Sequence, residues 1–408
     1  MAVTEAQARR AVRRAEVDWD EAVQDPRSER NQRHAHHGML NLLVAAFACG
    51  RVRLRRVEDL SQDVGRRARR RLGIGRRVSD TALWRLLARQ EAQGLRQTAQ
   101  QQVRSLAEAK LLERTCPLGV LSIDGKSVWT STRTQLAGAK TSVDEKTGLV
   151  TSSLMSVCAV LTSTRAQPCL DMELIGAKTG ESPAFRQLFP RVCDTFGGQF
   201  SVVTVDAGMT SRDNARLVLG RGKHYLLALK GNQAQLYAQA VDAFLGQPGR
   251  ARAHTAEVRN GQHLFRELYT LPVGLHEVDF PGAAELWQVV QRSTGGSTET
   301  RYFVCSLPGE RLTPTQKLSL VRLHWGVENG HHWTADVALE EDDVQPCQAS
   351  RAAVEVVAWL RVLAYNLLAT WRARQPLKDK RPIAWARAME QLRDAYVFDA
   401  PERLATLL

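Results

Sequence analysis

The chain has 408 residues, 44% of them hydrophobic, with a formal charge of +13 and a pI near 9.8. That length is long for one domain and predicts two or three units around a sizeable core. The basic excess points to an acidic polymer as partner, nucleic acid before membrane, the competing source being an arginine-rich genome. The seven cysteines are scattered with no Cys-x-x-Cys pair, which excludes a disulfide framework and argues for reduced thiols and no zinc site.

Residues 1 to about 115 read as helical throughout. Residues 5–23 form a charged amphipathic stretch closed by Asp25-Pro26, and residues 39–50 a short apolar helix. No apolar leader is visible at the start of the sequence, so a cytoplasmic, nucleoid-associated protein is expected. The segment 51–77 then carries eleven arginines, among them Arg51, Arg53, Arg55, Arg56, Arg66, Arg67, Arg69, Arg70 and Arg71, against Glu58, Asp59 and Asp63. Short helices loaded with arginine suit a DNA duplex, whose phosphates set affinity and orientation; a solvated charged face is the alternative. Ser79-Asp80 is a plausible N-cap for the next helix.

Near Cys116-Pro117 the period changes to that of strands. Residues 119–129 predict a strand with Asp124 near its end. Residues 149–163 and 168–178 predict two more, and Ser182-Pro183 opens a helix through Phe189. Residues 200–209 form a buried strand finishing in Asp206, followed by a helix over 211–221 and a strand over 224–233 that closes on Lys230-Gly231-Asn232. Strand, helix, strand in that order is a βαβ unit. From about 245 to 314 the sequence suggests two short strand pairs, read as a β-rich insertion, before a final helical block. The apolar run 352–371 is interrupted by Glu355, Arg361 and Asn366, which makes it a core helix and a poor membrane span.

The stretch VRLHWGVENGHHW, residues 321–333, places His324, Glu328 and His331 or His332 three or four apart, on one helical face. Two strands of one α/β sheet thus deliver an aspartate each, and a later helix delivers a glutamate, where such sheets bind ligands. Converging carboxylates repel unless cations are bound, and hard oxygen donors suit Mg²⁺ or Mn²⁺. Two ions about 4 Å apart would activate a water or a 3′-hydroxyl and stabilise the leaving oxygen of an in-line displacement. Two rival metal readings are weaker: His34, His36 and His37 as ligands, and a zinc site of His324, Glu328 and His332.

These pieces resemble the DDE transposases of the bacterial ISAs (H-repeat-associated) insertion-sequence group. The matching residues are Asp25-Pro26-Arg27 and Cys49-Gly50; IDGK at 123–126; VDA at 205–207; LALKGNQ at 227–233; Tyr302, Ser306 and Leu307; R-x-HW-x-x-EN at 322–329; His332-Trp333, Asp336-Val337, Glu341-Asp342, Arg361 and Asn366-Leu367-Leu368. The resemblance implies an α/β fold, an RNase H-like mixed sheet with flanking helices and a β-rich insertion, preceded by an all-helical N-terminal domain. It implies a helical domain at 1–115, a catalytic domain at 116–372 with the insertion at about 245–314, and a helical tail at 373–408. The metal-binding catalytic triad is then Asp124, Asp206 and Glu328, spaced by 82 and 122 residues. Lys126, Lys230, Asn232, Arg322, His324 and Trp325 would line the site and handle DNA phosphates or a flipped base.

The implied activity is cleavage and strand transfer of an insertion sequence with two Mg²⁺ or Mn²⁺ ions per site. The implied partners are double-stranded DNA and a second copy of the chain, with no membrane and no small-molecule cofactor. The sequence departs from the family pattern at Gln262-His263-Leu264-Phe265, at Met209-Thr210 and at Leu339. A second reading is therefore a domesticated DNA-binding regulator that keeps the fold without turnover.

Overall fold

The computed structural model describes residues 17–177, 179–245, 251–259, 261–275, 278–377 and 381–398. Its first part is helical: α1 (His36–Ala48), α2 (Leu54–Asp63), α3 (Arg66–Leu72), α4 (Asp80–Leu87) and α5 (Ala92–Glu108). In α2, Val57 and Leu60 are buried three residues apart while the arginines point outward. The Ser79 hydroxyl accepts from the Ala82 amide at 3.3 Å and starts α4 as a cap. Part of the amphipathic stretch expected at 5–23 lies outside the described residues. Its described end is not helical, because Trp19 Nε1 donates to Asn41 at 2.7 Å and the Asp20 amide to Thr98 at 3.1 Å, which ties an extended segment across α1 and α5.

The rest is built on one ten-stranded sheet. Its strands are β1 (Val120–Ser131), β2 (Lys140–Val143), β3 (Val150–Val160), β4 (Cys169–Leu174), β5 (Val202–Val205), β6 (His224–Leu229), β7 (Ala253–Arg259), β8 (Gln262–Pro272), β9 (Glu285–Ser293) and β10 (Thr298–Cys305). The order is β2-β3-β1-β5-β6-β10-β9-β8-β7, with β4 also paired to β3. β3 runs antiparallel to β1 and β4 antiparallel to β3, whereas β5 and β6 run parallel to β1. The helices α6 (Glu181–Phe196), α7 (Arg212–Gly220) and α8 (Ala234–Leu245) connect these strands or follow them. The strand set β4-β3-β1-β5-β6 with its crossover helices is the RNase H-like arrangement that the resemblance implied.

Two expectations change. The strand carrying Asp124 does not end there: β1 continues to Ser131 because β3 pairs with it as far as Ser152. The segment read as an insertion extends the same sheet, since β10 pairs with β6 from Tyr302↔Leu229 to Cys305↔Leu226. That pairing covers the hydrogen-bonding edge of β6, which a separate module would leave open.

The last helices are α9 (Pro314–Gly326), α10 (Arg351–Arg374) and α11 (Trp385–Val397). α9 begins in a capping box, Thr313 accepting from the Gln316 amide and Gln316 from the Thr313 amide, with Pro314 in its first turn. It packs on one face of the sheet, over Val120, Val202 and Leu226, while α6 and α7 cover Leu121, Ile123, Val203 and Val205 on the other. α10 is long and apolar enough to cross a membrane, but 89% of its most apolar window is buried within the fold. It shares one core with α1, α5 and the β3–β4 end of the sheet.

Candidate active site

Asp124 and Asp206 sit side by side. The parallel ladder ends at Ile123↔Val205, so the next residue on each strand is an aspartate. Two residues earlier, Ser122 and Thr204 are register partners on the same face. Ser122 meets Thr162 at 2.7 Å and accepts from Thr204 at 2.9 Å. The His324 ring nitrogen Nδ1 meets Thr204 at 3.1 Å, and Ser122 donates to the Leu323 carbonyl at 3.3 Å. This buried network rivets α9 to β1 and β5. A strand repeats every two residues and a helix nearly every four, so the step from Thr204 to Asp206 runs alongside the step from His324 to Glu328. Glu328 thereby reaches the rim above the aspartates.

Beyond Gly326 the helix widens into two π-helical segments, Val327–His332 and Thr334–Ala338. The wider turns put both His331 and His332 inside. They also leave Gly330 facing Gln167, whose Oε1 would lie 2.6 Å from any Cβ there.

Burial pushes the Asp124 carboxyl up to about 7, and Glu328 and Asp206 push it the same way against His332 and the Gly125 amide. Partial burial and then Asp206 raise Glu328. Sequence reasoning missed a fourth acid. Glu181, in the first turn of α6, is raised by burial and then by Asp206. A Cβ on Gly125 would lie 2.1 Å from Glu181 Oε1, and one on Gly208 would lie 3.0 Å from Oε2. Two glycines beside the two aspartates therefore open the cradle into which Glu181 projects. The signal available in the sequence was the glycine after each aspartate strand, which reads only as a turn.

The donor set fits a hard divalent cation: four carboxylates near one another, and little protein charge to neutralise them. Lys230 reaches Asp206 at 3.5 Å and His332 Nδ1 reaches Asp124 at 3.5 Å, while Glu328 has no ion-pair partner among the described residues. The Asp124, Asp206 and Glu328 oxygens do not all lie within 4.8 Å of one another, nor do the ligand atoms of His324, Glu328 and His332. The three acids therefore stand wider than the shell of one ion.

Residues 116–367 match the family model described as a transposase DDE domain. This chain belongs to the DDE transposase family. The Escherichia coli (strain K12) protein "H repeat-associated putative transposase YhhI" is 27% identical over 207 residues, covering 47% of this chain and 53% of that one. YbfL of the same strain is 28% identical over 183 residues, covering 41% and 47%. The matched stretch thus spans about half the length of these curated relatives. A solved piggyBac transposase synaptic complex with hairpin DNA aligns over 98% of this chain and 81% of that chain, at 9% identity and a TM-score of 0.48.

Several residues of this DDE-family chain that were expected to face DNA stand elsewhere. Lys126 is 7% exposed, its ammonium bound by Asp336 at 2.6 Å and by Glu341. Burial works against its charge, but Glu341 and Asp336 outweigh burial and raise its pKa. Arg361, also buried, lies 3.9 Å from Glu341 and donates to the Val344 carbonyl. The lysine of IDGK and the later Asp336, Glu341 and Arg361 are therefore one internal lock, with no access for a phosphate. His324 is buried in the Thr204 network, and burial lowers its pKa to about 4, so it stays neutral. Asn232 donates to the Ala207 carbonyl, holding the turn after Asp206.

The exposed candidates form two surfaces. Beside Glu328, an open groove of about 720 Å³ is lined by Trp325, Arg301, Arg322 and Arg381. The Arg301 guanidinium lies 4.3 Å over the Trp325 ring, and Arg322 pairs with Glu257 at 2.6 Å. On α2 and α3 and just before α2, Arg53, Arg55, Arg56, Arg66, Arg67, Arg70 and Arg71 are exposed, while Arg51 and Arg69 are half-buried. Arg55 and Arg56 make only loose pairs, 3.8 Å from Glu58 and from Asp59. Of the rival ligand histidines, His36 is bound to Gln90 at 2.8 Å, which leaves phosphate contact or packing for that cluster.

Proposed function

We propose that this chain carries out divalent-metal-dependent DNA cleavage and strand transfer as the transposase of an insertion sequence. The observation that supports this reading best is a set of converging acids with only Lys230, 3.5 Å from Asp206, and His332, 3.5 Å from Asp124, set against them. Asp124, Asp206 and Glu328, with Glu181 beside Asp206, would hold Mg²⁺ or Mn²⁺, two ions per site. When bound, such ions activate an attacking oxygen and neutralise the leaving one in a phosphoryl displacement.

The chain's own residues do the rest. The Ser122–Thr162–Thr204–His324 network fixes the distance between strand and helix, and so the spread of the acids. His332 orients the Asp124 carboxylate through its Nδ1. Lys230, at the rim, faces the phosphate entering beside Asp206. Trp325 with Arg301 offers a stacked aromatic and cationic platform for an unpaired base. Arg322 flanks that groove, and the arginines of α2 and α3 neutralise duplex backbone. Joining two element ends requires two sites, so the active unit is at least a homodimer.

The test is nicking of DNA carrying the element's ends, with Mn²⁺, by the wild type and by Asp124→Ala, Asp206→Ala and Glu328→Ala. The proposal expects nicks and joined products from the wild type alone. Metal-independent binding without nicks in any sample would favour the regulator reading instead, and nicks without joining would reduce the activity to that of a nuclease.

A further inference from the structure

Directly behind Asp124 lies a second set of potential ligands of a different chemical kind. Cys158 is the register partner of Asp124 on β3. The Cys158 sulfur and one nitrogen each of His331 and His332 lie within 4.8 Å of one another. All three residues are buried, at 1%, 3% and 8% exposure. Buried polar atoms nearly always have a partner, yet His331 Nδ1 and His332 Nε2 have none. The other nitrogen of His332 faces the Asp124 carboxylate. A carboxylate on one ring nitrogen, with the second nitrogen aimed at a thiol, is the arrangement that orients metal-ligating histidines.

We propose that Cys158, His331 and His332 form a zinc site, separate in ligand type from the carboxylate cluster, that clamps β3 to the π-helical segment and sets the ring of His332 against Asp124. One sulfur and two imidazole nitrogens suit Zn²⁺ and not Mg²⁺, which takes oxygen donors. Cys158 binds as its thiolate, the displaced S–H proton leaving to solvent. A cavity of about 10 Å³ opens beside Cys158 and His331, enough for one water-sized fourth ligand. Lys126 also lines this cavity. Asp336 and Glu341 already bind its ammonium, so its charge does not stand unopposed beside the ion. The expectation that no cysteine binds zinc followed from spacing, and these ligands come from a strand and a helix 173 residues apart.

The experiment is metal analysis and cobalt substitution of the full-length chain. The proposal expects about one zinc ion per chain after passage over a chelating resin. Chain produced with cobalt should show a thiolate-to-cobalt charge-transfer band. Cys158→Ser should remove that band with an unchanged circular dichroism spectrum, and His331→Leu should weaken cobalt binding. Asp206→Ala should keep the band, which separates this site from the proposed catalytic one. A folded wild type without zinc and without the band overturns the proposal, as does a band that survives Cys158→Ser. If Cys158→Ser does not fold, the wild-type band alone decides.

Discussion

Asp124 and Lys126 are two residues apart on the same face of β1, yet they face opposite electrostatic solutions. Around Lys126 the acids Asp336 and Glu341 are closed by protein cations, Lys126 itself and Arg361, in a buried lock. Around Asp124 the acids Asp206 and Glu328 meet no comparable cation, and burial with like charge lifts the Asp124 carboxyl to about 7. A buried ion pair offsets its desolvation only while both partners are present, and removing one is costly. A carboxylate cluster that is incomplete is poised to take its cations from solution. The contrast separates motif residues that look alike in sequence: one half is closed on itself within the fold, and the other is the half to which the proposed function assigns the chemistry.

The largest effect should come from emptying the open half. Alanine at Asp124, Asp206 or Glu328 should lower Mn²⁺-supported nicking by on the order of 10³-fold or more, the size of several kcal/mol of lost charge stabilisation. Breaking the closed half should act on the fold: Lys126→Ala leaves the buried Glu341 with only Arg361, 3.9 Å away, and the half-exposed Asp336 without its ammonium, and should cost about 3 kcal/mol in denaturant unfolding. If Lys126→Ala instead weakened DNA binding at unchanged stability, the two halves would not be distinct.

The open half also has its own pH signature. The folded pKa of Asp124, about 7, is above its ordinary value, so the metal-free native state holds the extra proton. Its contribution to stability is therefore fully present below about pH 4 and is lost as pH rises through about 7. Asp124→Asn should remove that loss, stabilising metal-free protein at pH 8 relative to wild type by on the order of 2–4 kcal/mol and having little effect at pH 4. A destabilised variant at pH 8 would count against the unrelieved burial of this acid.

The alternation of β-branched residues around Asp124 and Asp206 and the four-residue step from His324 to Glu328 are local patterns, and they foretold the strands and the helix. The match of Ile123 to Val205 is not local, and the sequence placed both aspartates on one sheet without making their strands neighbours. What stayed hidden depends on partners far along the chain. Lys126 finds Asp336 and Glu341 more than 200 residues away. Glu181 becomes visible only when Gly125 and Gly208 are seen to make room for it. The extension of the sheet by β10 follows from the need to cover β6, which no periodicity announces.

Smaller effects sharpen the picture of the rim. Glu181→Gln should weaken Mn²⁺ binding about tenfold, or roughly 1.4 kcal/mol. Gly125→Ala should do the same by displacing Glu181, because its Cβ would lie 2.1 Å from the carboxylate oxygen. Equal Mn²⁺ affinity in both variants would remove Glu181 from the site. Smaller still, each exposed arginine of α2 and α3 replaced by alanine should reduce the salt slope of DNA binding by roughly one, with no change in metal affinity; a slope that stays put for all of them would move the duplex to another surface.

The most direct measurement is calorimetric titration of Mn²⁺ into the full-length chain at pH 8 and into each single alanine variant at Asp124, Asp206 and Glu328. The account predicts binding in the wild type, accompanied by thermal stabilisation, and a severe loss of affinity in every variant. A wild type that takes up no Mn²⁺ at these acids, or variants that bind it as well as the wild type does, would contradict it.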